Sequence, residues 1–446
     1  VTKLNKNKKL YLLIDKFTEF DLHPNKIDNH MMGTMYEELL RKFSEISNEE
    51  SGDHFTPRDI VKLLVSLVFG GDRENLKGEG KIRSVYDPCC GTGGMLTIGK
   101  QWIHENINEK LKIELFGQEL NDVTYSICKS DFLMADENPE NIKGPYSSLS
   151  NDKYSDRKFE YMITNPPFGT SWSADEEFVK NEANQSNGRF LSTLPRTSEG
   201  SLLFLQHLID KMEPNGSRIG IVFNGSACFT GDAGSGESEI RKWVIENDFL
   251  ETVIMLPDKM FFNTGIMTFI WILDNKKSNK RKNKIQLIDA SKKFKLLKRN
   301  LGEKNKEFLD DHINDINNLY EKFENNDESK IFENNFFGYV RTTIDRPLTE
   351  KGKIIFDKKK KIKIDKSKRY YEKVPLNFNF QEYLKLEVEP YIPDYIHDES
   401  QQKIGYEIIP TKIFYKTKLI DNTESIKKEL GDIDSQLKEA IDNFEK

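Results

Sequence analysis

Residues 82–96 read IRSVYDPCCGTGGML. A short β-prone run, 82–86, breaks at Asp87-Pro88 into a turn carrying Gly91, Gly93 and Gly94, and an apolar helix starts near Met95. Strand, glycine-rich turn and helix in succession let a backbone come close to a nucleotide-like ligand. The three glycines can take positive φ and carry no side chain to block that approach. The run is neither G-x-G-x-x-G nor a phosphate loop, because the Lys that would pair with a β- or γ-phosphate is absent. A ligand without phosphates, such as S-adenosylmethionine, fits this turn better than ATP or NAD. A tight turn of purely structural use is the competing reading.

On either side, short apolar strands alternate with helices from about 81 to 290. Strands are expected at 82–86, 113–116, 159–163, 218–223, 251–256, 267–273 and 285–288, with amphipathic helices such as 201–212 and 239–247 between them. The alternation implies an α/β fold with a doubly wound, mostly parallel sheet covered on both faces, its ligands bound at the carboxyl ends of strands. Residues 1–80 read as helical, with apolar residues at three- and four-residue spacing in 31–43 (MMGTMYEELLRKF) and 58–69 (RDIVKLLVSLVF). Residues 291–446 form a polar, mixed region ending in a charged helix near 421–446. The expected organisation is therefore a helical region 1–80, a core 81–290 and a C-terminal region 291–446.

Three further segments carry chemistry. Glu119 lies just past the second expected strand, where an acid can accept both ribose hydroxyls of an adenosine. Asn165-Pro166-Pro167-Phe168 follows the strand 159–163 directly. The prolines stiffen that turn and present carbonyls, so the Asn165 side-chain oxygen and the Pro166 carbonyl can accept hydrogen bonds from one amino group. Accepting both hydrogens frees the nitrogen lone pair for attack, and Phe168 can stack on a base. In Asp53-His54-Phe55-Thr56-Pro57-Arg58, the Thr56 hydroxyl and Phe55 could clamp the methionine end of the cofactor, although Thr56-Pro57 is also an ordinary helix start.

The 446 residues carry a net charge of −6, which is unusual for a protein that grips nucleic acid unaided and requires either local basic patches or a partner. Two basic runs stand out, 276–284 (KKSNKRKNK) and 357–369 (DKKKKIKIDKSKR), each readable as a solvated face or as a phosphate contact. Residues 421–446 carry a thin apolar stripe at Ile426, Leu430, Ile433, Leu437 and Ile441, suited to docking on a partner helix. No stretch of 18 apolar residues is present, and four cysteines make neither a disulfide framework nor a zinc spacing. A soluble protein of the cytoplasm, without a metal and not bound to a membrane, is expected. The chain opens on Val1, and a preceding segment is expected.

HFTPRDIV (54–61), DPCCGTGGML (87–96), GQE (117–119) and NPPFG (165–169), in this order, resemble the amino-group DNA methyltransferases. With GTMYEELL (33–40), IMLPDKMFF (254–262), EVEPYIPD (387–394) and KIGYEI (403–408), the chain resembles more closely the modification subunits of type I restriction–modification systems. The resemblance implies a Rossmann-like methyltransferase core, S-adenosylmethionine as donor, and the N6 amino group of adenine in double-stranded DNA as acceptor. It implies assembly with a specificity subunit, a second modification subunit and, in the full complex, a restriction subunit. It assigns Asp53, His54, Phe55, Thr56, Pro57, Arg58, Asp87, Gly91, Thr92, Gly93, Gly94 and Glu119 to the cofactor, and Asn165, Pro166, Pro167 and Phe168 to catalysis. One departure is visible: where such enzymes often carry a Gly-Asp or Gly-Asn turn near the cofactor adenine, this chain has Gly144-Pro145-Tyr146-Ser147, leaving Asp131, Ser147 or Ser148 for that contact. The alternatives are the same chemistry on another amino group (glutamine, cytosine or RNA guanine), and a non-catalytic assembly subunit.

Overall fold

The computed structural model describes residues 56–416 apart from 79 and 351, together with 9–19, 21, 26, 427, 430, 431 and 433. The helix expected at 31–43, the segment 33–40, Asp53, His54 and Phe55, and most of the stripe at 421–446 lie outside the described residues. The chain divides into two compact units, 1–409 and 410–446; the short helix Pro410–Ile413 belongs to the second.

The first unit is built on a nine-stranded sheet. Its strands are β1 (Ile82–Asp87), β2 (Lys112–Gln118), β3 (Ile142–Lys143), β4 (Tyr161–Thr164), β5 (Arg218–Asn224), β6 (Leu250–Met255), β7 (Thr268–Asp274) and β8 (Lys284–Asp289). After the hairpin β9 (Lys295–Leu301) and β10 (Lys304–Glu307), β11 (Ser329–Glu333) completes it. The order is β11-β8-β6-β7-β5-β4-β1-β2-β3. Pairing is parallel except that β7 runs against β5 and β6, and β11 against β8. Every residue of β5, β6 and β7 is buried, as strands covered on both faces must be. All seven strands expected from the sequence are present within one or two residues of their limits; β3 and β11 are additional.

The helices of eight residues or more among the described residues are α1 (Leu10–Thr18), α2 (Arg58–Gly70), α3 (Gly94–Asn106), α4 (Asp122–Met134), α5 (Glu176–Ala183), α6 (Ser201–Asp210), α7 (Gly236–Glu246) and α8 (Asp310–Lys322). Although it precedes the 81–290 segment, α2 lies on this sheet, its residues from Ile60 to Phe69, all but Lys62, buried against β5, α3 and α8. Close seating depends on Gly220, where a Cβ would stand 2.5 Å from Val68 and 2.7 Å from Leu64. The amino edge of the sheet is closed by a buried cluster. Arg218 donates to Asp274 (2.6 Å), Glu251 (3.1 Å), Tyr320 (2.6 Å) and the Val68 carbonyl (3.0 Å).

Two cations of the first basic run are taken into this edge. Lys277 is buried against Asp248 and the Leu250 carbonyl, and Arg281 is sandwiched by the Tyr320 and Phe323 rings. A second, smaller sheet forms on β12 (Gly338–Asp345), which pairs with Tyr370–Pro375, Ile396–His397 and Lys403–Tyr406. No helix among the described residues is long and apolar enough to cross a membrane.

Candidate active site

The carboxyl ends of β1, β2 and β4 lie side by side, so the three sequence motifs that follow them converge. Between them is a cavity of about 490 Å3 lined by Thr56, Asp87, Gly91, Thr92, Gly94, Glu119, Asn165 and Pro167. Eight of the residues assigned from sequence to the cofactor or to catalysis therefore line one cavity.

The glycine turn is held tightly. Gly91 (φ 57°) and Gly93 (φ 82°) both occupy the left-handed region. A Cβ on Gly93 would also stand 2.8 Å from the Cys128 sulfur and from the Phe132 ring, so this glycine sits behind the turn rather than on the cavity. Gly91 N–H donates to Glu119 Oε2 (2.9 Å) and Asn121 N–H to Glu119 Oε1 (2.7 Å). Each carboxylate oxygen is thereby fixed yet keeps a lone pair for a ligand. Asp87, fully buried, accepts from Thr164 Oγ1 (2.6 Å) and Cys89 N–H (3.0 Å). Burial pushes its carboxyl up to about 7, aided by the charge of Glu119 and opposed by those two hydrogen bonds.

Asn165 stands at the carboxyl end of β4. Its amide nitrogen donates to Thr56 Oγ1 (3.0 Å), which fixes the direction of the side chain. Its Oδ1 is buried and has no hydrogen-bond partner among the described residues. A buried, oriented acceptor without a donor is costly unless a ligand completes it. Thr56, read from sequence as a cofactor clamp, thus has a definite contact with the asparagine. Pro57, Arg58, Pro166 and Phe168 do not line the cavity. Pro57 precedes α2 and Arg58 begins it, Pro166 is buried, and Phe168 packs against the core with its ring edge toward Phe261.

Apart from Ser147 and Ser148, the rest of the lining was poorly legible in sequence. Ser147, Ser148, Leu149, Trp172, Asp175 and Phe204 line the cavity, whereas Asp131 does not. The 148–149 backbone is pinned by Arg189, which donates to the Ser148 and Leu149 carbonyls (2.8 Å each) and is clamped by Glu182. Arg189 also reaches His207 Nδ1 (2.8 Å). A guanidinium only donates, so Nδ1 accepts and Nε2 carries the proton toward Tyr86 Oη, 3.1 Å away. Burial, with the charges of Arg189 and Lys211, holds His207 neutral, well below its usual range. Such a histidine is a strut, not a base. Cys89 and Cys90 line the cavity too. Burial raises the Cys89 thiol well above its usual range, and a hydrogen bond with Cys128 together with burial raises Cys90, so neither is a thiolate nucleophile at neutral pH.

Comparison with known proteins agrees with this geometry. The family model described as N-6 DNA Methylase matches residues 27–338. The MjaIX methylase subunit, a type I restriction enzyme component of Methanocaldococcus jannaschii, is 27% identical over 326 residues, covering 73% of this chain and 55% of that protein. The MpnII methylase subunit of Mycoplasma pneumoniae is 28% identical over 350 residues, covering 75% and 60%. Among solved structures, a type I restriction-modification system methyltransferase subunit from Streptococcus thermophilus superposes with a TM-score of 0.53 at 27% identity, covering 63% of this chain and 55% of that one. The chain thus spans between half and two thirds of the length of these relatives. With the motif order, the sheet and more than half of the chain in agreement, it belongs to the N-6 DNA methylase family.

Proposed function

We infer that this chain transfers the methyl group of S-adenosylmethionine to the exocyclic N6 amino group of an adenine in duplex DNA, as the modification subunit of a type I restriction–modification assembly. The observation that carries this reading is Asn165 Oδ1, a buried acceptor without a donor among the described residues, in the cavity it lines together with the glycine turn and Glu119.

The cavity suits the cofactor chemically. Its described lining holds three carboxylates, Asp87, Glu119 and Asp175, and no lysine or arginine, which favours a cation without phosphates. Glu119 would take the ribose hydroxyls, and the glycine turn leaves room for the nucleoside. When bound, S-adenosylmethionine supplies an electrophilic methyl group on a sulfonium. The target adenine must leave the duplex, at a cost of a few kcal/mol for unstacking and unpairing. Asn165 Oδ1 and the Pro166 carbonyl would then accept its two amino hydrogens, orienting the nitrogen lone pair toward the methyl. Positioning supplies most of the acceleration. No covalent enzyme intermediate is required, in keeping with the raised cysteine thiols.

The test is transfer of labelled methyl from S-adenosylmethionine to duplex DNA by the chain assembled with its specificity subunit. Asn165→Ala is expected to lower the rate by roughly 100-fold or more, the scale for removing one preorganised polar group at a reacting centre. Cofactor binding by calorimetry should survive in Asn165→Ala and vanish in Glu119→Ala. Label appearing on protein, RNA or cytosine instead of adenine would overturn the assignment, as would an unimpaired Asn165→Ala enzyme.

A further inference from the structure

The second lysine-rich run stands apart from the first. Where Lys277 and Arg281 are buried in the amino edge, Lys358, Lys359, Lys360, Lys361 and Lys363 are all exposed and make no ion pair among the described residues. Residues 357–369 hold eight basic and two acidic side chains, a net +6, so the rest of the chain carries −12. This is a concentrated positive site on an acidic molecule. It is also built rather than frayed. The arm 346–365 folds on itself through bridges between Pro347 and Ile364 and between Phe356 and Ile362. The Asp357 carboxylate accepts from Lys359 N–H (2.7 Å) and Lys361 N–H (2.8 Å), so the acid is spent on the backbone of the tip while the lysine side chains reach solvent. The base is fixed by Arg369 on Asp345 (2.6 and 2.8 Å) and Arg346 on Asp394 (3.0 and 3.1 Å).

The course of β12 places this arm. Just before the strand, Asn334 bonds the Ile245 carbonyl and Asp248, at the amino edge where α7 ends. Further along, Arg341 pairs with Asp232 (2.6 Å), in the loop that leads into α7 from the carboxyl end of β5. The strand therefore runs from the amino edge toward the carboxyl edge, the edge on which the cavity lies, and its last four residues, at about 3.3 Å each, carry the chain further in that direction before the arm begins.

We propose that the 346–365 arm grips the phosphate backbone of duplex DNA beside the active site, through the lysines of its tip; this rests on the DNA-directed function inferred above. The grip is independent of sequence, because ammonium groups on flexible stems meet phosphates as point charges.

The test is fluorescence anisotropy of a labelled duplex of arbitrary sequence with the full chain, across a range of salt concentrations. The variant Lys358→Gln/Lys359→Gln/Lys360→Gln/Lys361→Gln is compared with wild type and with Lys276→Gln/Lys282→Gln/Lys322→Gln, exposed lysines at the opposite edge. The slope of log affinity against log salt should shrink by roughly 3 in the arm variant, about 0.9 for each phosphate no longer neutralised, and by less than 1 in the control. Cofactor binding should be unchanged in both. Equal slopes in the arm variant and wild type overturn the proposal, as does a wild-type chain that fails to bind DNA at low salt. So does a loss confined to anionic phospholipid vesicles with DNA binding intact. Equal slopes alongside normal methyl transfer remove the arm and leave the function standing; absent transfer with the expected change of slope does the reverse.

Discussion

Asp87 and Asn165 illustrate two ways in which a residue can be held at odds with its surroundings until a ligand arrives. Asn165 lacks a donor for its Oδ1 among the described residues, and Asp87 is a carboxylate enclosed at the end of a buried strand. Burial raises Asp87 from its ordinary 3.8 to about 7, so the folded protein holds that proton to a higher pH than the unfolded chain does. Between these two values the native state binds more protons, and stability falls as pH rises. Above pH 7 the accumulated cost is on the order of 4 kcal/mol, at about 1.36 kcal/mol per unit. Asp87→Asn keeps an acceptor for Thr164 and Cys89 N–H while removing the charge. It should therefore raise Tm at pH 8, leave it nearly unchanged at pH 4, and weaken binding of the cationic cofactor. Scanning calorimetry at the two pH values measures this, and a Tm at pH 8 equal to or below that of wild type would refute it.

Among the elements, legibility in sequence followed burial. The interior strands β4 to β7 are continuous apolar runs, and they were readable because strands buried on both faces leave no other pattern. β3 has only two residues, and β11, SKIFE, is a polar edge strand; both owe their conformation to a neighbour rather than to their own pattern. The site divides in the same way. Motifs attached to strand ends, at 87–94, Glu119 and Asn165, were legible because the strands position them. Trp172, Asp175 and Leu149 were not, since their loops are placed by remote contacts such as Arg189 to the Ser148 carbonyl. Tertiary polar contacts also join β5, β6, β7 and α8 at the amino edge. There burial works against ionisation of Glu251, yet Arg218, Arg281 and the Tyr320 hydroxyl hold its carboxyl at about 2. Its stabilising effect is full above its ordinary 4.5 and is lost as pH falls toward 2. Asp274, raised by burial in the same cluster, works in the opposite direction. Glu251→Gln should cost about 3–5 kcal/mol at pH 7, because it leaves Arg218 undercompensated in the interior. Urea denaturation at pH 7 and pH 3 checks this: the deficit should shrink at the lower pH, and an equal deficit at both would exclude the ion pair as its source.

At the scale of the whole molecule, the distribution of charge bears on what this chain can do by itself. Two cations of the first basic run, Lys277 and Arg281, are taken up in closing the sheet, and the arm supplies a concentrated positive site on a chain whose remainder carries −12. Three of the carboxylates in that remainder line the cavity, whose described lining holds no lysine or arginine. Such a surface would meet DNA through a few phosphates, which carry no sequence information, and would oppose wider contact by repulsion. Reading base edges in a groove usually requires several arginine, asparagine or glutamine side chains on one rigid element. In this chain the element entering the site is a proline-stiffened turn, and the proposed function gives its asparagine to the amino group. The isolated chain should therefore bind duplexes of unrelated sequence with equal, weak affinity that decays steeply with salt. Choice of sequence should appear only when the specificity subunit is added. Competition between labelled and unlabelled duplexes, with and without that subunit, measures both. A salt-resistant preference for one sequence by the chain alone would place the reading function within these 446 residues and end the division of labour argued here.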